Sequence, residues 1–481
     1  MGAGGTMEKS KNLKYKNLAK DTGLFTISNF GSKILAFLFT PLYTRVLATA
    51  EYGIADLIAT TVSFIYPILT LAIADATLRY ALDNNEDKNI VFGVSSLFTV
   101  ISVFFLLAFK PLVCLIDSSL DSFWLFFVLH YVLFNIHNLF SNFVKGLGKT
   151  GLFAIQGILH TVTIILCNVL FLVVFKFGIY GYLWSTLIGY CTPILVMLFA
   201  AKLYRFIIPF KIEKSVLIDM LKYSIPMIPT ILAWAINTSI DRYMIVWMYG
   251  LGASGVYSVA HKIPTIMMTI LSVFSQAWQI SVITNHGSKD ESQYYTNVYK
   301  GLDFLSLSGC FFILITCKML ASFLFAKDFY IAWQYVPMLT ISAMFASHAG
   351  VLAAAFRAEK KTKSLFVSVV AGSILNMILN YVLLKTIGVL GAAIATAVSF
   401  FIVWLVRIIT IQKIVKVEAP ALSTGICYGL LFLVSILLIL DFSYSWVIIA
   451  LAYLIVCSLK RDTITSIIHA IINLLKKKKM N

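Results

Sequence analysis

Three basic side chains sit where an apolar chain tolerates them least. Lys33, Arg242 and Lys262 fall inside long apolar runs, and a Lys or Arg at bilayer depth costs at least about 2.5 kcal/mol, so it normally faces a wet cavity or a partner. Lys33 lies about eleven residues into a run that starts near residue 22, which at 1.5 Å per residue is roughly 17 Å along a helix and close to a bilayer midplane. Arg242 and Lys262 lie roughly 9–12 Å below the opposite end of two consecutive helices by the same rise. Asp56, Asp75 and Asp241 are the acidic counterparts, and His261 can titrate near neutral pH. Pairing of Asp241 with Lys262, and of Asp75 with Arg79 one turn away, would give those acids a structural role. Lys33 and Arg242 would still lack a local acid. A path with surplus positive charge wants an anionic ligand.

Other chemistries have no residues to carry them. No nucleophile, base and orienting acid share a recognisable spacing, and the seven His (130, 137, 160, 261, 286, 348, 469) make no pairs at i, i+3 or i, i+4. The seven Cys form no Cys-x-x-Cys or zinc spacing. Gly146-Leu147-Gly148-Lys149-Thr150 resembles the end of a phosphate-binding loop, but Phe143 stands where its first glycine belongs. No enzyme, no metal and no cofactor is expected.

The elements that hold these charges follow from composition. The 481 residues are 60% hydrophobic and 12% charged, with a mean hydropathy of +0.90, and soluble chains carry about 25% charged residues. At about 20 apolar residues per crossing, the runs place helices at 22–46, 52–78, 90–115, 122–144, 151–175 and 180–201, then 218–248, 254–284, 302–326, 331–356, 364–385 and 389–412, then 421–440 and 443–459. The fold class is all-α integral membrane, with fourteen transmembrane helices as two parallel six-helix repeats plus two C-terminal helices. The domain plan is an expression scar and basic N-terminus (1–21), an N-lobe (22–203), a basic linker (204–217), a C-lobe (218–414), helices thirteen and fourteen (415–460) and an amphipathic basic tail (461–481). Most of the 38 Lys and Arg fall on the even-numbered loops and both termini, which places both termini in the cytoplasm and reads the net charge of +17 as topology, with no nucleic acid implied.

An internal repeat supports the division. Lys149-Thr150, Leu152-Phe153, Asn168 and Gly178-Ile179-Tyr180-Gly181 recur as Lys361-Thr362, Leu365-Phe366, Asn380 and Gly388-Val389-Leu390-Gly391, and Ala50-Glu51-Tyr52-Gly53 is echoed by Ala253-Ser254-Gly255. Six helices per half is an even number, so both halves share one orientation. Prolines 41, 67, 226, 229 and 264 should kink helices one, two, seven and eight.

The stretch from Phe39-Thr40-Pro41-Leu42-Tyr43-Thr44-Arg45-Val46-Leu47 to Glu51-Tyr52-Gly53, with Gly252-Ala253-Ser254-Gly255-Val256-Tyr257-Ser258-Val259-Ala260, resembles the Wzx-type polysaccharide flippases. These belong to the multidrug, oligosaccharidyl-lipid and polysaccharide exporter superfamily. The resemblance implies two six-helix lobes around a cationic cavity lined here by Lys33, Arg242 and Lys262, with Arg45 at its outer rim. It also implies an undecaprenyl-diphosphate-linked oligosaccharide as substrate, moved to the outer leaflet of a bacterial cytoplasmic membrane for O-antigen, capsule, exopolysaccharide or teichoic acid assembly. Membrane lipids are the other partner. The coupling ion would be a proton or sodium, with Asp56, Asp75, Asp241 and His261 as candidate coupling or pairing groups. Fourteen helices also fit the lipid II flippases of the same superfamily, and a cation-coupled multidrug exporter is the further alternative, which would want an acidic site instead.

Overall fold

The computed structural model describes residues 31–83, 85–108, 110–111, 119–208, 210–285, 291–359, 361–416 and 422–469. The basic N-terminus and the Lys476–Lys479 run lie outside them. Among the described residues the regular structure is entirely helical. Eleven stretches are long and apolar enough to cross a membrane. One of these, Lys214–Ser275, holds both helix seven and most of helix eight, Ser445–Leu459 is a shorter apolar helix, and the first described residues, 31–38, are helical. The chain is an all-α, multi-pass membrane protein, and fourteen crossings account for its helices.

The expected kinks are full breaks in several places. Helix one runs over residues 31–38 and resumes as Thr40–Val46, with Pro41 in the first turn of the second piece, where a missing N–H costs least. Helix two is Thr49–Leu69, and Pro67 is followed by Leu71 and Ala72 at φ 52° and 51° before the chain turns helical again at Ile73–Leu82. Two successive left-handed residues with side chains are costly. Helix seven starts in a 3₁₀ turn, Ile225–Met227, that contains Pro226. It continues through Ile228–Ala260, whose single non-helical residue, Gly250 at φ 81°, separates helix seven from helix eight. Helix eight breaks again at His261 and resumes as Lys262–Asn285, with Pro264 in the first turn.

Two compact units make up the chain: Met1–Ala235 with Val246–Gly255, and Ile236–Ile245 with Val256–Asn481. The first is built on helix three (Lys88–Ala108), helix four (Trp124–Gly146), helix five (Thr150–Asn168, continued by a π turn to Val174) and helix six (Gly178–Ala200). Asp87 caps helix three by accepting the Asn89 N–H at 2.8 Å, which together with the Asn89 side chain pulls its carboxyl below the usual range. An aromatic cluster fills the end of the unit nearest Leu203: Phe92 meets Phe143 edge-on at 4.9 Å and Phe143 meets Phe206 at 5.1 Å. Helix Lys214–Ser224 closes this core with Met220, which is fully buried.

The echoed segments of the two halves meet inside this unit. A Cβ on Gly53 would enter the Leu251 carbonyl, and one on Gly255 would enter the Thr49 carbonyl and stand 2.9 Å from the Gly53 nitrogen. Two backbones therefore touch with no side chain between them. The other repeat is also structural, since Lys149 and Lys361 precede their helices with nearly the same dihedrals, φ −85° ψ 57° and φ −87° ψ 54°. Gly178 and Gly388 both take a positive φ, 56° and 70°.

In the second unit, helix nine (Glu291–Leu324), helix ten (Val336–Ala358), helix eleven (Thr362–Ile387) and helix twelve (Leu390–Ile411) pack with helix thirteen (Leu422–Ile439) and helix fourteen (Ser445–Leu459). Lys460, one of the cations that the sequence assigns to the cytoplasmic C-terminus, is buried: its Nζ donates to Asp303 Oδ2 at 2.8 Å and to Thr424 Oγ1 at 2.6 Å, and Tyr428 donates to Asp303 Oδ1 at 2.6 Å. Arg407 is likewise inside helix twelve, donating to the Ala349 carbonyl and the Ser368 hydroxyl. Removing one partner of a buried ion pair leaves the other uncompensated. Lys460→Met should therefore destabilise the protein by about 3–5 kcal/mol in thermal unfolding, and Lys460→Met with Asp303→Leu should recover most of that loss.

Candidate functional site

Helices seven, eight, eleven and twelve bring the intramembrane charges of the second unit into one polar cluster. Asp241 is 1% exposed. Its Oδ2 accepts from the Tyr257 hydroxyl at 2.6 Å and from Thr396 Oγ1 at 3.4 Å, and its Oδ1 accepts the Arg242 backbone N–H at 2.9 Å. His261 Nε2 lies 3.9 Å from Asp241 Oδ2, and the His261 ring stands edge-on to Tyr257 at 5.0 Å. Among the described residues, the partners that satisfy Asp241 do not include Lys262, with which the sequence suggested a pair. Lys262 begins the segment of helix eight that follows the break at His261.

Arg242 is anchored differently. Its Nη1 donates to the Thr238 carbonyl at 3.1 Å and its Nε donates to Ser258 Oγ at 3.3 Å. Both of these contacts are to neutral groups, and the guanidinium charge also acts on the neighbouring Asp241 carboxylate.

Four amides and hydroxyls that sequence reading passed over complete the cluster. Asn376 Nδ2 donates to Thr396 Oγ1 at 3.4 Å, and Asn380 Nδ2 donates to Asn376 Oδ1 at 3.0 Å. Asn237 and Asn380 are 1% and 0% exposed, yet both side-chain atoms of Asn237, the Asn380 Oδ1 and the His261 Nε2 have no hydrogen-bond partner among the described residues. Buried polar atoms without partners cost about 1–3 kcal/mol each. Two of them, Asn237 Oδ1 and Asn380 Oδ1, are oxygens of the kind a hard cation prefers, and Asn237 lies one helical turn from Asp241. The signal was present in the chain: Asn237 and Asp241, and Asn376 and Asn380, are polar pairs at i, i+4 in otherwise apolar helices.

The other predicted residues belong to the first unit. Lys33 is exposed on the segment 31–38, and no acidic side chain pairs with it among the described residues. Arg45 is in the last turn of Thr40–Val46, where a cation complements the helix dipole. Asp56 is half-buried in helix two. Asp75 starts the segment Ile73–Leu82, and the cation acting on it is Lys145 at the end of helix four. Arg79, suggested as its partner, lies instead over the Tyr223 ring at 4.7 Å. Among the described residues no group of three His, Cys, Asp or Glu is arranged to hold a metal.

Known proteins share this arrangement of helices. The sequence pattern of the polysaccharide biosynthesis protein family matches residues 18–279, and that of the MatE family matches residues 226–382. An uncharacterised membrane protein of Methanocaldococcus jannaschii is 26% identical over 202 residues, 41% of this chain and 47% of that protein, so the match spans about half of the relative. The fold is similar to that of the lipid II flippase MurJ in an inward closed conformation, with a TM-score of 0.68, 17% identity, and 93% and 99% of the two chains covered. It is also similar to an inward-facing MATE multidrug resistance transporter (TM-score 0.65, 14% identity, 83% and 96% covered). A third similar structure is a transporter from Pyrococcus furiosus described as having a binding pocket of reverse polarity (TM-score 0.59, 13% identity, 82% and 96% covered).

Proposed function

We propose, from the premise that this chain belongs to the polysaccharide biosynthesis protein family, that it is a flippase for an anionic lipid-linked oligosaccharide. The substrate would be an undecaprenyl-diphosphate-linked repeat unit carried from the cytoplasmic to the outer leaflet of a bacterial membrane, for O-antigen, capsule, exopolysaccharide or teichoic acid assembly. Both termini would be cytoplasmic. The carrying observation is Lys33, an ammonium in an apolar helix with no acidic side chain beside it among the described residues. A diphosphate with its sugars cannot cross hydrocarbon alone, because each unpaired polar group costs several kcal/mol there. The cationic side chains Lys33, Arg45, Arg242 and Lys262 would replace water around the phosphates while the isoprenoid tail stays in lipid.

Reconstitution with a fluorescent lipid-linked oligosaccharide tests this. Lys33→Ala, Arg242→Ala and Lys262→Ala should each slow flipping about tenfold or more, the worth of one charge-assisted contact of about 1.5–3 kcal/mol. Lys33→Glu should be slower still, since it repels the phosphates. Normal flux by all three alanine variants at normal abundance would sink the cationic path. Two other readings have an observation behind them. Similarity to MurJ over nearly the whole chain favours lipid II as the cargo, and similarity to MATE transporters favours a cationic drug. The same vesicles loaded with lipid II, or tested for drug efflux, separate all three.

Coupling would fall to Asp241. We place a proton or a sodium ion there, because it is a buried carboxylate with His261 Nε2 3.9 Å from its Oδ2 and with unpartnered amide oxygens on Asn237, one turn away, and on Asn380.

A further inference from the structure

Three histidines with no ligand spacing in the sequence converge in the first unit. His130 and His137 lie on helix four, His160 on helix five and Tyr190 on helix six, each well inside its helix. The His137 and His160 rings stack with centroids 5.5 Å apart. Tyr190 stands among all three, 4.5 Å from His160 and 5.4 Å from both His137 and His130.

Two hydrogen bonds fix which nitrogen of each stacked ring carries its proton. His137 Nε2 donates to Gln156 Oε1 at 2.7 Å, and His160 Nδ1 donates to the Gly189 carbonyl at 2.8 Å. A neutral imidazole that donates from one nitrogen holds a lone pair on the other. Those lone pairs, on His137 Nδ1 and His160 Nε2, have no hydrogen-bond partner among the described residues. His130 is 6% exposed, and its ring packs on Phe134 and Tyr190.

The surroundings limit what can happen there. The elements packed on helix four carry Glu51, Asp56, Asp75, Arg79, Lys88 and Asp121, the last of which pairs with Lys110; Lys145 ends helix four, and Tyr66, Tyr131, Cys167 and Cys191 are among the other titratable groups nearby. No carboxylate lies within ion-pair distance of the three imidazoles among the described residues. An uncompensated charge at this depth costs several kcal/mol, so the empty cluster stays neutral. A second proton would meet the first at close range. One proton could rest there against the π face of Tyr190, provided that an anion shares the compartment.

We propose that His130, His137 and His160, grouped around Tyr190, form a membrane-embedded proton-binding site that takes up one proton when an anionic substrate enters and releases it when that substrate leaves. The proton comes from water and is held on His160 Nε2 or His137 Nδ1. The identity of the anion rests on the flippase reading, whereas the proton site does not.

His137→Gln and His160→Asn provide the test, because each amide can keep its hydrogen bond to Gln156 or Gly189 yet cannot take a proton. Protein labelled with ¹⁵N-histidine, in liposomes, is observed by solid-state NMR between pH 5 and pH 8 with and without undecaprenyl diphosphate. Two neutral signals of opposite tautomer, each lost in one variant, should convert to imidazolium when the diphosphate is added. Flipping by the wild type should vary up to about tenfold per pH unit across that conversion, as uptake of one proton requires, and the double variant should show no such dependence. Imidazoles that stay neutral at every pH with the diphosphate present would overturn the proposal. So would signals that shift without protonation, which would mean that the rings accept hydrogen bonds from the ligand instead. Protonation as described in a protein that flips no lipid-linked sugar would uphold the site and defeat the flippase reading.

Discussion

Valine at Gly255, or at Gly53, is expected to abolish transport almost completely. At both positions the first atom of any side chain enters a backbone carbonyl, that of Thr49 for Gly255 and that of Leu251 for Gly53. A carbonyl in a helix cannot swing aside as a flexible side chain can, so the two segments must separate. Overpacking by a methylene or two costs about 1–3 kcal/mol even where side chains can yield, and a branched residue against backbone should exceed that. Alanine should be intermediate. Abundance in membranes, thermal unfolding and flipping rate of the four variants check the expectation, and wild-type values in all three measurements for the valine variants would contradict this packing.

Asp241→Asn should leave a single pass of the carrier nearly intact and slow repeated turnover at least tenfold. Each charge crossing the membrane potential is worth about 2.3 kcal/mol per 100 mV, so a diphosphate of about two negative charges gains roughly 4–5 kcal/mol per 100 mV by leaving a negative cytoplasm. Outward flipping then needs no imposed sodium or proton gradient. The return of an empty, positively charged path works against the same field, and a carboxylate that exchanges an ion there resets its charge. Asparagine keeps an oxygen for Tyr257 and Thr396 but binds no ion by charge. Pre-loaded vesicles with a potassium-valinomycin potential, read first in one turnover and then at steady state, distinguish the two phases. Equal losses in both would assign Asp241 to the outward step or to folding.

The crossings were legible because charges bound apolar runs, and a run of fixed length has one way to span hydrocarbon. The repeated glycine turns were legible for a similar reason: Gly178 and Gly388 occupy a backbone region that other residues avoid. The prolines marked where helices one, two, seven and eight are interrupted, although nothing in the chain announced that Leu71 and Ala72 would both turn left-handed after Pro67. Lateral partners were another matter. Helices surrounded by lipid and by other helices are apolar on every face, so no polar stripe says which side meets which neighbour. That is why Asp75 was matched to Arg79, its neighbour in sequence, when Lys145 comes to it from helix four. The three imidazoles escaped for the same reason, as they come together only when helices four, five and six pack.

The ion pair of Asp303 with Lys460 also bears on how the protein is made. A ribosome completes helix nine long before it reaches the residue after helix fourteen, so throughout the interval the Asp303 carboxylate sits in a membrane segment without the ammonium that will neutralise it. An unfinished or prematurely terminated chain therefore exposes a charge that a finished one conceals.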